Sequence, residues 1–174
     1  MRDRKYYGGL NMEQEHQFED FLMSVNDEYR DFVTTIHKMV IQDGYDKVTI
    51  SSSKTNLFSV KYTHPKTRRG IVNFTLKKRG FKISVFAANF AKYPDALNRL
   101  PESMENQITK TPSCKNIMEP GTCMGKCIGY DFHINEAHYQ KCKFNCFQFN
   151  VDAESIPLLL ELIERELAAR RTAS

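Results

Sequence analysis

Five cysteines, Cys114, Cys123, Cys127, Cys142 and Cys146, fall within 33 residues of a 174-residue chain. Their order is Cys114-x8-Cys123-x3-Cys127-x14-Cys142-x3-Cys146, two C-x3-C pairs preceded by a single cysteine. A zinc ion takes four soft donors at tetrahedral corners about 2.3 Å away, and two short loops that each give two thiolates meet this need with little ordering of the chain. The spacing therefore predicts a structural zinc site on Cys123, Cys127, Cys142 and Cys146. Cys114 in place of one of them is the second ligand set, and His133 or His138 a more distant donor. Gly121, Gly125 and Gly129 offer tight turns around the first pair. Lys115, Lys126, Lys141 and Lys143 flank the cysteines, where positive charge favours thiolate. Two other readings stand beside zinc: an iron–sulfur cluster, which also uses four thiolates, and a set of reduced cysteines that simply fill core space.

A second concentration of chemistry precedes the cysteines. From Lys47 to Pro94 the chain carries eleven Lys and Arg and no Asp or Glu, whereas the segment from Met12 to Asp31 is rich in acids. The net charge of +4 conceals this division. Lys61, Lys77 and Lys82 are out of phase with Val60, Leu76 and Ile83, so on strands they project from the face opposite the packed one, together with Ser59, Thr63, Asn73, Thr75 and Ser84. Two loops, Lys66-Thr67-Arg68-Arg69 and Lys77-Lys78-Arg79, extend that face. The expected partner is nucleic acid or another polyanion, contacted by Lys61, Lys66, Arg68, Arg69, Lys77, Lys78, Arg79 and Lys82, with Phe86 placed to stack on a base. The plainer alternative is a solvated face whose lysines block edge-to-edge aggregation.

Other chemistry is thinly represented. The chain holds no G-x-S-x-G, H-E-x-x-H, phosphate-loop or dinucleotide fingerprint, and neither His37 nor His64 has a partner visible in the sequence; His64, ahead of Pro65, reads as facing solvent. No catalytic residue is assigned. No apolar run is long enough to span a bilayer and the first residues lack the apolar centre of a signal peptide, so a cytoplasmic location without a membrane partner is expected. In that compartment thiols stay reduced, which with the odd cysteine count favours ligands over disulfides.

The elements that must hold these groups follow from apolar periodicity. Phe18, Phe21, Leu22 and Val25 mark one helix, and Phe32, Val33, Ile36, Met39 and Val40 a second that stops at Gly44. The period then changes to two: Val48 and Ile50; Phe58, Val60 and Tyr62; Val72, Phe74 and Leu76; Phe81, Ile83 and Val85. Pro94 and Pro101 begin two short helices, strands are expected at Tyr130–Ile134 and Phe147–Val151, and a last helix from about Glu154 carries Ile156, Leu159, Leu160, Ile163 and Leu167, capped by Asp152 or Ser155. The fold class is α+β: an antiparallel sheet of four or more strands with helices packed on one face, plus a cysteine-rich metal-binding knuckle. Residues 12–174 read as one domain with the knuckle at 112–148. Residues 1–11 read as an extension, either disordered or translated from a ribosome-binding site, with synthesis starting at Met12.

The segment Tyr62-Thr63-His64-Pro65-Lys66-Thr67, followed by Val72-Asn73-Phe74 and Gly80-Phe81-Lys82-Ile83, resembles small bacterial families of the YdhG and MmcQ/YjbR kind. The stretches Gly129-Tyr130-Asp131-Phe132, His138-Tyr139-Gln140-Lys141-Cys142 and Asn145-Cys146-Phe147 resemble a group of cysteine-bearing hypothetical proteins. The first resemblance implies a frataxin-like layout of helices and antiparallel sheet; neither implies a reaction, and the cysteine insertion departs from the simpler families. The resulting expectation is a non-enzymatic, zinc-stabilised bacterial domain that binds nucleic acid or another polyanion. The alternatives are an iron–sulfur or thiol-based redox or metal sensor, and an enzyme acting on an anionic small molecule.

Overall fold

The hydrophobic period changes at Gly44 from helical to alternating, and the backbone changes with it. In a computed structural model, which describes residues 10–123, 129–142 and 145–172, two helices, α1 (Met12–Ser24) and α2 (Asp27–Gln42), precede strands β1 (Lys47–Ser51), β2 (Asn56–Thr63), β3 (Gly70–Lys77) and β4 (Phe81–Val85). A 3-10 turn at Phe90–Lys92 leads into α3 (Pro94–Leu97), α4 (Glu102–Thr109) and α5 (Lys115–Met118). Strands β5 (Tyr130–Ile134), β6 (Ala137–Lys141) and β7 (Phe147–Asn150) and helix α6 (Ser155–Arg171) complete the chain. The class is α+β, with a sheet in the order β1-β2-β3-β4-β7 and a separate β5-β6 ribbon. The chain divides into two compact units, Met1–Ile83 and Ser84–Ser174. Among the described residues no helix is long and apolar enough to cross a membrane.

In the first unit, α1 starts from a reciprocal cap. Asn11 Oδ1 accepts from the Gln14 N–H at 2.9 Å, and Gln14 Oε1 accepts from the Asn11 N–H at 3.2 Å, which satisfies two of the amide donors a helix start leaves over. Leu10, just ahead of the cap, is buried; residues 1–9 of the expected extension lie outside the described residues. The buried side of α1 is Phe18, Phe21 and Leu22, and that of α2 is Phe32, Val33, Ile36, His37 and Val40. Gly44 ends α2 with φ +85°, a left-handed conformation in which a Cβ would crowd the next carbonyl.

Antiparallel pairing sets Val48 opposite Tyr62, Ile50 opposite Val60 and Val60 opposite Phe74, so one sheet face is apolar throughout. Phe21 stands at the centre of the contact, its ring 5.9 Å from Phe58, 6.0 Å from Phe74 and 6.2 Å from Phe81. Each fully buried Phe is worth about 1.5–3 kcal/mol relative to an exposed one. The C-terminal carbonyls of α1 are met by Arg30: its Nε donates to the Leu22 carbonyl at 2.8 Å and a terminal nitrogen donates to that of Met23 at 3.0 Å. A cation at that pole also offsets the helix dipole.

The second unit is organised by rings of its own. Phe90 stacks on Phe147 at 4.5 Å and meets Phe132 edge-on at 5.2 Å. The β5-β6 hairpin turns through Asn135, whose φ of +51° suits asparagine. Asp152 Oδ1 accepts from the Ser155 N–H at 2.8 Å, and Ser155 Oγ accepts from the Asp152 N–H at 3.0 Å, anchoring α6. On α6 the expected apolar stripe contains a charge: Glu166 is fully buried. Its Oε1 accepts from the Ala88 N–H, the Asn89 side-chain amide and Arg170 Nε, and its Oε2 from the Asn89 N–H and the Tyr93 hydroxyl. Five donors around one carboxylate replace the water that burial removes.

Candidate functional site

Local pairing decides which cysteines approach one another. Ser113 bridges to Lys141; around that bridge the Cys114 N–H donates to the Gln140 carbonyl at 3.0 Å and the Cys142 N–H to the Pro112 carbonyl at 3.1 Å. Cys114 and Cys142 are thus diagonal neighbours across an isolated antiparallel bridge, with Cα atoms roughly 7–8 Å apart by the geometry of antiparallel pairing. The Asn145 N–H donates to the Cys142 carbonyl at 3.1 Å. Cys114 is buried, Cys142 and Cys146 are half-buried, and Cys123 is exposed; all four are free thiols. Cys127, Gly125, Lys126 and Lys143 lie outside the described residues. Among the described residues, no group of three His, Cys, Asp or Glu side chains is placed to hold a metal ion, so the knuckle expected from spacing has no assembled donor set there.

Two flanking groups have work other than the one expected. Lys141 donates through Nζ to the carbonyls of Thr109 and Thr111, both at 2.8 Å, and so satisfies the end of α4 rather than leaning on a thiolate. Burial lowers its pKa from the ordinary lysine value. Gly129 has φ +67°, and a Cβ there would lie 2.9 Å from Cys114 Sγ and 2.8 Å from the Lys141 carbonyl oxygen, so glycine is required for Cys114 to seat.

The histidines sit apart from the thiols. Tyr130 pairs with Lys141 at the cysteine end of the hairpin, while His133 pairs with His138 three positions further on, roughly 10 Å along the strands. Their rings stack at 4.7 Å, and His138 Nε2 lies 2.7 Å from Asp131 Oδ1. Hydrogen bonds from His138 and then Gln140 hold the Asp131 carboxyl below its ordinary pKa.

The basic residues divide into two groups. Lys66, Arg68 and Arg69 lie in the β2–β3 loop, whereas Lys77, Lys78 and Arg79 lie at the β3–β4 turn, the opposite end of an eight-residue strand, roughly 24 Å away. Lys61 is exposed in mid-sheet and Lys82 is half-buried. Of the polar residues expected to share their face, Thr75 and Ser84 are buried, and Phe86 is half-buried. The continuous cationic face expected from alternation is therefore two cationic ends. Lys47, opposite Thr63, joins the first end, and Lys54, in the β1–β2 turn, joins the second.

The β2–β3 loop is ordered by His64, which the sequence reads as facing solvent. His64 Nδ1 accepts from the N–H groups of Lys66 at 3.3 Å and Thr67 at 3.4 Å, and the His64 carbonyl accepts from the Arg68 N–H at 2.8 Å. Half-buried rather than solvent-facing, the ring packs edge-on to Tyr45 at 5.5 Å. Arg68 takes φ +58° to complete the turn. The available signal was a side chain with an acceptor nitrogen directly before Pro65, at the start of a loop; there it takes the place that the shorter Asn, Asp or Ser commonly fills.

The second cationic end borders a groove of about 500 Å³ between the α1–α2 turn, the start of β2 and the β3–β4 turn. Nothing in the periodicity announced it, because its walls come from three separate stretches. Comparison with family models, curated proteins and solved structures finds no match to this chain, so what the sites can do rests on their own geometry.

Proposed function

We propose that the first unit binds the phosphate backbone of nucleic acid through the cations at the β2–β3 end of its sheet. One observation carries this reading: Lys47, Lys66, Arg68 and Arg69 are all exposed at that end, and none takes part in the ion pairs found among the described residues. The loop that bears three of them is already fixed by His64, so binding costs less backbone ordering than a free loop demands. Cations without carboxylate partners release condensed counterions when they meet phosphates, which drives association. Titration of labelled oligonucleotides, single- and double-stranded, tests the proposal: binding should weaken steadily with salt and be insensitive to base sequence. Absence of binding at low salt, or binding indifferent to salt, overturns it.

The cysteine segment supports a second reading, a zinc site in the second unit. Its support is the hydrogen bond from the Asn145 N–H to the Cys142 carbonyl and the pairing that sets Cys114 beside Cys142. These favour a donor set that includes Cys114 over one built on the exposed Cys123. Metal analysis of anaerobically purified protein decides: one zinc per chain, absent from Cys142→Ser, sustains this reading, and a colourless metal-free sample ends it. An iron–sulfur cluster in its place would announce itself by colour.

A further inference from the structure

Four large apolar side chains are exposed among the described residues: Met12, Met23, Leu57 and Met118. Two of the four, Met23 at 70% and Leu57 at 44% exposure, stand on walls of the same groove, the one bordered by the second cationic end. Phe81 and Leu76 also line it, and Lys77 and Lys78 form one rim. The lining is mixed: Met23, Val25, Leu57, Leu76 and Phe81 give it an apolar side, and Ser24, Asn26, Asp27, Arg30, Lys77 and Lys78 give it polar and charged groups. Its volume of about 500 Å³ falls within the size range of small-ligand sites.

The charge balance selects the kind of ligand. Asp27 is the acid of the lining, and its Oδ1 lies 2.8 Å from Arg30. Arg30 also donates to the carbonyls of Leu22, Val25 and Met23, so its guanidinium belongs to the end of α1. With that pair offset, Lys77 and Lys78 leave the groove cationic; neither takes part in an ion pair among the described residues. The turn that presents them is closed by the Lys77 N–H donating to the Gly80 carbonyl at 3.0 Å.

We propose that this groove binds a small amphipathic anion, an aliphatic or aryl carboxylate, whose apolar body lies between Met23, Leu57 and Phe81 and whose carboxylate faces Lys77 and Lys78. The site is distinct from the β2–β3 end and stands or falls apart from nucleic-acid binding. A flexible methionine on the wall lets the groove fit bodies of more than one shape.

The test is titration of the full chain with decanoate, followed by amide chemical shifts, with decanol and inorganic phosphate as controls. Decanoate should saturate, with shifts confined to the α1–α2 turn, the start of β2 and the β3–β4 turn. Decanol, lacking the charge, should bind about tenfold more weakly, and phosphate, lacking the body, should give no shift at those positions. Leu57→Gln and Lys78→Ala change exposed side chains; each should weaken decanoate several-fold and leave the remaining spectrum intact. Equal binding of decanol, shifts centred elsewhere, or unchanged affinity in both variants overturns the proposal.

Discussion

His37 Nδ1 lies 2.9 Å from the Tyr62 hydroxyl in the interior of the first unit, and that contact ties α2 to the C-terminal end of β2. Burial, with the charge of Lys38 as a smaller cause, lowers the His37 pKa to about 4 from 6.5, so the folded chain holds the ring neutral at neutral pH. Burial also pushes the Tyr62 phenol above its ordinary value. Between these two His37 values the unfolded chain binds a proton that the folded chain does not, and stability therefore rises with pH. The contribution is complete above about pH 6.5 and disappears as pH falls to about 4, an effect of up to about 3 kcal/mol. Urea unfolding at a series of pH values should show this decline, and His37→Gln should flatten that part of the profile.

A second prediction concerns Glu166. Replacing it with Ala leaves the Tyr93 hydroxyl, the Asn89 amides and Arg170 without their shared acceptor in a buried site, at a cost of about 3–5 kcal/mol. Tyr93→Phe removes only one hydrogen bond to the carboxylate and should cost about 1.5–3 kcal/mol. Urea midpoints of the two variants should fall in that order; a Glu166→Ala protein as stable as its parent would contradict the account of α6.

Gly129 and Gly80 separate crowding from backbone strain. Both have positive φ, but a Cβ at Gly129 would strike Cys114 and the Lys141 carbonyl, while at Gly80 nothing lies within 4 Å. Gly80→Ala should destabilise through backbone strain alone, and Gly129→Ala should add to its own backbone strain a clash with Cys114 worth about 1–3 kcal/mol. Thiol modification of Cys114, measured in the same pair, should accelerate in the Gly129 variant and not in the Gly80 variant.

The elements that were legible from the residues are those whose burial follows a simple period. Phe18, Phe21 and Leu22 declare α1, and the alternation through Val60, Tyr62, Phe74 and Ile83 declares the sheet. Strand β6 was not legible, because in Ala137–Lys141 the buried member is a lysine, a residue whose charge reads as solvent-facing until Thr109 and Thr111 supply carbonyls for it. Glu166 was hidden for the same reason: three of its partners come from Ala88 to Tyr93, more than 70 residues earlier.

The sites divide along the same line. The concentration of Lys and Arg from Lys47 to Lys92 was plain, yet adjacency along the chain joined two loops that an eight-residue strand keeps apart. Cysteine spacing announced two C-x3-C pairs; it did not announce that Cys114 would be the buried thiol, seated against Gly129, or that the exposed one would be Cys123. The groove went unannounced because no short stretch contains it.

The most direct test of nucleic-acid binding at the β2–β3 end is the salt slope of oligonucleotide affinity in a variant with Lys66, Arg68 and Arg69 all changed to Ala. These side chains are exposed, so the fold should persist, as the unfolding midpoint will report. If the three cations neutralise phosphates, the slope of log affinity against log salt should flatten by about 0.7–0.9 for each phosphate that the variant leaves unneutralised, and low-salt affinity should fall steeply. A variant whose slope and affinity equal those of the parent would contradict the account.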